Sequence, residues 1–254
     1  MRVAVICVAL LTLAANVAGE ESRASKLTAK GDRFYQRRDK GRKWVEKAKE
    51  CYEKALALDT RNVEASWRLA RAAYWLGDRE EQREERIRLF RQAIDVAKRA
   101  VAIDDESVES HFWLGISYAK YGEAVGIMKS LALIEPIRKE MRRVIELDES
   151  FAGGGAHRAL GWIYHKLPAV AGGSDEKAVE HLKKAIQQDR THLLNHLCIA
   201  DIYRKTDQER LAREHLEFIL EAPFNAERRP EEIEIKAGAK SLLAEMDEAD
   251  EKAK

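Results

Sequence analysis

The chain has 254 residues, with 45 Lys/Arg against 44 Asp/Glu, and is 45% hydrophobic and 35% charged. That length can hold one large domain or two small ones with a real core, and the composition fits a folded protein rich in amphipathic helices. A net charge of +1 excludes an overall field that would draw nucleic acid or an anionic membrane, so no nucleic-acid partner is expected.

At the N-terminus Arg2 precedes the run Val3–Leu13, apolar but for Thr12, and Val17-Ala18-Gly19 comes just before Glu20. This is the layout of a secretory signal peptide, so cleavage after Ala18 or Gly19 and export are expected. The alternative is an uncleaved membrane anchor, because Val3 to Gly19 reaches the lower limit for a bilayer span. No Cys follows the cleavage region, which disfavours a bacterial lipoprotein. Cys51 and Cys198 lie far apart inside helical patterns and read as buried thiols, not as a disulfide framework. From Glu20 to Glu50 there are eleven Lys/Arg against six Asp/Glu, and from Glu221 to Lys254 six against ten. Four prolines and the lack of any Gly/Ser pool make residues 20–254 read as a single array.

Asp59, Asp104, Asp148 and Asp189 each close an apolar-periodic run and are spaced by 45, 44 and 41 residues. After each comes an aliphatic residue followed by a small one and then an aromatic: Leu69-Ala70 with Tyr74, Leu114-Gly115 with Tyr118, Leu160-Gly161 with Tyr164, Ile199-Ala200 with Tyr203. Upstream the spacing is equally regular, as in Ala48, Tyr52, Ala55 and in Ala178, Leu182, Ala185. These positions resemble the tetratricopeptide repeat, whose small residues let helix A approach helix B while larger ones fill the space between units. The resemblance implies an all-α, right-handed solenoid of about five helix pairs. The pairs fall at 24–38 with 43–58, 62–77 with 79–103, 107–121 with 134–147, 154–166 with 174–188, and 191–205 with 208–221, in units of about 24–59, 62–104, 107–148, 154–189 and 191–222. A charged helix over 230–251 should cap the last apolar face, which an open solenoid end would leave in water.

Two insertions depart from the ordinary repeat length. Eleven extra residues between Asp78 and Ala93 make three helical turns and should lengthen helix B without rotating its buried face. About ten extra residues between Gly122 and Ile137 are apolar. Ile127, Met128, Leu131, Leu133 and Ile134 crowd into eight positions, too few for a membrane span, and are expected to form an interaction surface between subunits or with a partner. The alternative is a local lid folded over the array.

A narrower resemblance rests on Gly154-Gly155-Ala156-His157-Arg158-Ala159-Leu160-Gly161-Trp162, with Lys166-Leu167-Pro168 and Gly172-Gly173-Ser174-Asp175-Glu176-Lys177-Ala178 after it. With the apolar insertion ahead, the stretch from Val63 to Leu220 resembles the TatT family, the periplasmic component associated with TRAP transporters, although Ala156 stands where Pro is expected. The resemblance implies a periplasmic helper that meets a solute-binding protein, takes an apolar or carboxylated solute, and assembles as a trimer.

Helix A residues line the concave side of such arrays. The register puts Trp67, Arg71, Tyr74, Trp75, Phe112, Ile116, Lys120, Arg158, Trp162, His165, Lys166 and Arg204 there as candidate ligand-binding residues. Aromatic walls with several cations suit an amphipathic anion, with Arg71 or Arg158 on its acidic group; the bland reading is that some of the rings pack between helices. An open channel would instead take an extended peptide or helix, making the chain a protein-interaction scaffold. No metal, cofactor or catalytic residue is expected. His192 and His196 are spaced i, i+4 but lack a third ligand, and His181 and His215 recur 34 residues apart, as the repeat itself explains. Gly172-Gly173-Ser174 lacks the strand and Lys of a phosphate loop, so Ser174 reads as a helix N-cap. No nucleophile has its base and acid at motif spacing, and an enzyme would need His157, His165 and a carboxylate to gather round a metal.

Overall fold

The computed structural model describes residues 2–126 and 130–252, with residues 2–18 described by their backbone alone. Among these there is no strand, and the architecture is all-α. The helices are α1 (Arg2–Tyr35), α2 (Arg42–Leu58), α3 (Val63–Asp78), α4 (Arg83–Ile103), α5 (Val108–Val125), α6 (Ile134–Asp148), α7 (Phe151–Lys166), α8 (Asp175–Gln188), α9 (Leu193–Lys205), α10 (Glu209–Glu221) and α11 (Arg229–Lys252). They gather into two compact units, 1–133 and 134–254.

The turn chemistry explains the register. Each periodic Asp ends a helix and then holds the link to the next repeat with its carboxylate. Oδ1 of Asp59, Asp104, Asp148 and Asp189 accepts from the backbone N–H of Arg61, Glu106, Ser150 and Thr191 at 2.9–3.0 Å. An Asp does this because its short side chain reaches the N–H two residues on. Of the helices that follow, α3 is capped by Asn62 and α5 by Ser107, and within the next repeat α8 is capped by Ser174, each accepting an N3 amide.

In the first unit the pairs α1–α2 and α3–α4 pack around Tyr35, Val45, Tyr52, Leu69, Leu76 and Leu89. A β-carbon on Gly31 would meet the Tyr52 ring at 2.4 Å, and one on Gly77 the Phe90 ring at 2.8 Å. Against the three extra turns expected from the insertion after Asp78, α4 has 21 residues, only about one turn more than the 17 of α2, while its buried positions Leu89, Phe90, Ala93, Ile94, Val96, Ala97 and Ala100 keep one face. The helix that opens the first repeat does not begin near residue 24. It continues the apolar leader without a break as α1, because no proline or positive-φ glycine interrupts 2–35. Among the described residues no helix is long and apolar enough to cross a membrane.

Of the apolar insertion, the residues from Ser130 onward are described. Gly126, at φ 93°, ends α5, and a short 3-10 turn, Leu131–Leu133, follows Ser130. Ile127 and Met128 lie outside the described residues. Leu131 is 38% exposed, and Leu133 approaches Gly122.

In the second unit the pairs α7–α8 and α9–α10 pack around Leu182, Ile199, Ile202, Leu216 and Ile219, and α11 lays Ile235, Ala239 and Met246 over the end of that core. Arg213 of α10 ties the cap down through Asp247 at 2.6 Å and Asp250 at 2.8 Å. The start of α7 is kinked: Ala152, Gly153 and Gly154 all have left-handed φ, so the straight helix begins near Gly155.

Candidate binding surfaces

In the first unit the inner helices α1 and α3 meet at Asp32. Its carboxylate accepts from Tyr52 Oη at 2.8 Å and from Arg68 Nε at 2.9 Å, and lies 3.6 Å from Arg71 Nη2. The Arg71 guanidinium stacks over Tyr35 at 4.0 Å and near Trp67 at 5.0 Å, while Arg68 covers Trp67 at 4.1 Å. Burial pushes the Tyr52 phenol far above its ordinary pKa, so it stays a donor to Asp32 at any ordinary pH. Arg71 Nε and Trp67 Nε1 are buried without a hydrogen-bond partner among the described residues. Replacing Asp32 with Ala should therefore cost about 2 kcal/mol in urea unfolding, because two guanidinium groups and a phenol lose their acceptor together. A loss within error of zero would show that the cluster is solvated.

Further along the same unit, Trp75 and Phe112 are buried, with Arg79 4.2 Å over Trp75 and Phe112 edge-on to Trp113. Half-buried Tyr74 sits between Trp113 and Phe90 at 5.4 and 6.3 Å. Lys120 Nζ lies 2.8 Å from Asp78 and 3.3 Å from Glu123. These rings are thus largely used in helix packing. An open cleft of about 550 Å³ lies instead on the α2 and α4 side, with Leu56, Leu69 and Val96 as its floor and Arg88, Arg91 and Arg99 around it.

In the second unit Arg158 is held by Asn195 Oδ1 at 2.7 Å, and the buried Asn195 amide donates to the carbonyls of Gly153 at 2.9 Å and Ala185 at 3.1 Å. Trp162 lies 5.8 Å from the His165 ring and under Lys166 Nζ at 4.3 Å. His165 Nδ1 donates to Asp175 at 2.6 Å. Arg204 pairs with Asp201 at 3.5 Å and Glu245 at 3.8 Å, its Nε buried without a partner.

Histidine pairing in this unit is a feature the sequence left unused. His157 Nδ1 meets His181 Nδ1 at 2.9 Å, and one repeat later His196 Nδ1 meets His215 Nδ1 at 2.9 Å. Tyr164 stacks on His181 and Tyr203 on His215, both at 16°. The outer partners assign the tautomers. His157 Nε2 faces the Glu149 carboxylate at 2.8 Å and His196 Nε2 the Arg190 carbonyl at 3.0 Å. Both oxygens can only accept, so Nε2 carries the proton, and His181 and His215 donate from Nδ1. The signal was the recurrence of His at matching positions of helix A and helix B, which the repeat spacing explained away one helix at a time. His196 pairs with His215, whereas the buried Nδ1 of His192 has no hydrogen-bond partner among the described residues, and no three His, Cys, Asp or Glu among them gather as a metal set.

The chain aligns with known tetratricopeptide-repeat structures. A thermophilic tetratricopeptide-repeat protein of Thermus thermophilus superposes with a TM-score of 0.66 at 19% identity, over 87% of this chain and 99% of that one. PilF of Pseudomonas aeruginosa does so at 0.58 and 16%, over 90% and 93%. These likenesses establish the fold. Among curated sequences, regulator of microtubule dynamics protein 1 of Pongo abelii is 26% identical over 75% of this chain and 64% of its own length. The Homo sapiens protein is 27% identical over 72% of this chain and 62% of its own. The chain thus spans a little under two thirds of these relatives. The TatT resemblance finds no support, and the glycines that carried it have a packing explanation. A β-carbon on Gly154 would meet Ala185 Cα at 2.6 Å, one on Gly161 the Ala178 carbonyl at 2.9 Å, and one on Gly173 the Leu167 carbonyl at 1.8 Å. The family model for regulator of microtubule dynamics protein 1-3 matches residues 27–153, half of the chain, and the chain belongs to that family.

Proposed function

We propose that this chain is a non-catalytic scaffold that binds protein and acts, like its named relatives, in the regulation of microtubule dynamics. The observation that carries this reading is the family match over 27–153, which takes in α2 to α6 and so more than two helix pairs of the array. Such repeats offer helix-lined surfaces that recognise peptide segments and helices. The described clefts are open to solvent and Trp67, Trp75 and Phe112 are buried, so a peptide partner is favoured over an enclosed solute. Co-sedimentation of the full chain with stabilised microtubules should show saturable pelleting. A chain that stays in the supernatant at every microtubule concentration would overturn the microtubule reading.

Two further expectations belong to this proposal. The 131–134 segment is proposed as a contact surface, between subunits or with the partner. Replacing Leu131 and Leu133 with Ser should lower sedimentation mass or microtubule pelleting while leaving the melting temperature nearly unchanged. A large loss of stability with association intact would make the segment core instead. The leader 3–19 is proposed to direct export or to anchor the chain. The intact mass of protein purified from its host distinguishes these, and neither holds if the leader is retained on a protein found wholly in the soluble cytoplasmic fraction.

A further inference from the structure

We propose that a cationic and aromatic patch formed by the end of α1 and the start of α2 is the docking site for an acidic, extended polypeptide segment carrying carboxylates at alternate positions. The inference rests on the reading of the chain as a protein-binding scaffold and names the chemistry of its partner.

The patch is built on two half-buried rings, Phe34 and Trp44, whose centroids lie 5.9 Å apart. Four exposed cations surround them. Arg37 lies 4.4 Å and Lys47 5.0 Å from the Trp44 ring, with Lys43 at 5.8 Å, and Lys30 is 5.9 Å from Phe34. Among the described residues none of the four has a carboxylate partner. Of the acids in the same stretch, Asp32 is committed to Tyr52 and Arg68, Glu46 to Arg42, and Glu50 to Lys54. This contrasts with helix cations such as Arg42, Lys54, Arg88 and Arg210, each of which has an acid three or four residues away. A concentrated, uncompensated positive charge costs self-repulsion in the folded protein, which an anionic partner relieves.

Cation–π contacts also hold the four side chains over the rings, so less rotamer freedom is lost when they bind. Lys43 and Lys47 are one helical turn apart, about 6 Å along the axis. Alternate residues of an extended chain fall about 6.6 Å apart on one face, so successive same-face carboxylates match that spacing. A membrane is the poorer fit: the exposed large apolar side chains of the described residues, such as Val170, Phe224 and Ile233, lie elsewhere, leaving nothing at the patch to insert. Nucleic acid is also a poorer fit, because cations already sit over the faces on which bases would stack, and the chain carries a net charge of only +1.

The test is fluorescence anisotropy of labelled decaglutamate with the full chain. The variants are Lys43→Glu with Lys47→Glu, and a control of equal charge change, Lys240→Glu with Lys252→Glu, at the far end of the sequence. Saturable binding that falls about tenfold or more in the first variant and less than about twofold in the control is expected, with helicity and melting unchanged in both. Equal losses in the two variants would reduce the effect to bulk charge and overturn the site, as would unchanged binding in the first. Phosphatidylserine-containing vesicles and oligothymidylate serve as competitors. Tighter binding of either than of decaglutamate, lost in the same variant, would overturn the peptide assignment. Microtubule pelleting separates the two levels of the argument. If wild type and the Lys43, Lys47 variant pellet equally, the patch fails and the scaffold reading stands. If decaglutamate binds through the patch while the wild-type chain never pellets, the patch stands and the microtubule reading fails.

Discussion

Replacing Gly154 with alanine should destabilise the protein by about 3 to 5 kcal/mol, the sum expected for a left-handed backbone and an over-packed contact. Gly154 has φ +72°, and a β-carbon there would meet Ala185 Cα at 2.6 Å and its carbonyl oxygen at 2.9 Å. Both obstacles are backbone, so no rotamer change relieves them. The kink it serves is fixed by the buried Asn195, whose amide spans the Gly153 and Ala185 carbonyls. Gly238→Ala is the matched control. Gly238 sits inside α11 with open space around its Cα, so that change should stabilise by about 0.5 to 1 kcal/mol through helix propensity. Urea midpoints for the two variants should therefore move in opposite directions. If Gly154→Ala unfolds within about 1 kcal/mol of the parent, the close approach of α7 and α8 is not a constraint.

Lowering the pH from 7 to 5 should remove about 3 to 4 kcal/mol of stability through buried imidazoles alone. Burial, with Arg158 and Arg228 nearby, lowers the His192 pKa to about 3. Burial, with the partner ring next, lowers His181 and His215 to about 4 each, and burial lowers His196. A histidine whose folded pKa is depressed binds its proton in the unfolded chain first. The stabilisation is therefore complete above about pH 6.5 and is lost as pH falls toward the folded values. His192 supplies about 2 kcal/mol at pH 5, and each pair about 1 after allowance for solvent screening. The pairs lose their bond for a geometric reason as well, because doubly protonated rings would aim two N–H groups at each other across 2.9 Å. The groups facing them are Glu149, Glu180 and Lys184 at the first pair, and Glu214 and Lys183 at the second. Urea unfolding at pH 7.5, 6.5 and 5.5 reads the slope, and His192→Asn should reduce it by about one proton's worth. A midpoint independent of pH across that window would mean that these rings are solvated in the folded protein.

The sequence by itself determined the repeat, its helix pairs and its capping helix, because each rests on local chemistry written at fixed spacing. The four Asp residues announce Asx turns, Ser174 announces a cap, and small residues opposite Tyr52, Phe90 and Leu182 announce close helix contacts. Which aromatic residues remain available to a ligand was decided only by the tertiary structure. Trp75 has the same helix A register as the exposed Lys166 and Lys205, and Trp67 and Phe112 the same register as half-buried Arg158, yet all three are buried. The long-range partnerships were equally hidden: Asp32 with Arg68 across 36 residues, Arg158 with Asn195 across 37, His157 with His181 across 24. Periodicity states which face of a helix is apolar, but a polar pair forms only where two helices from different parts of the chain set donor and acceptor within about 3 Å. The Phe34 and Trp44 patch shows both halves of this. Its excess of Lys and Arg between Glu20 and Glu50 is plain in the residue count, whereas the gathering of four cations around two rings depends on how α1 packs against α2.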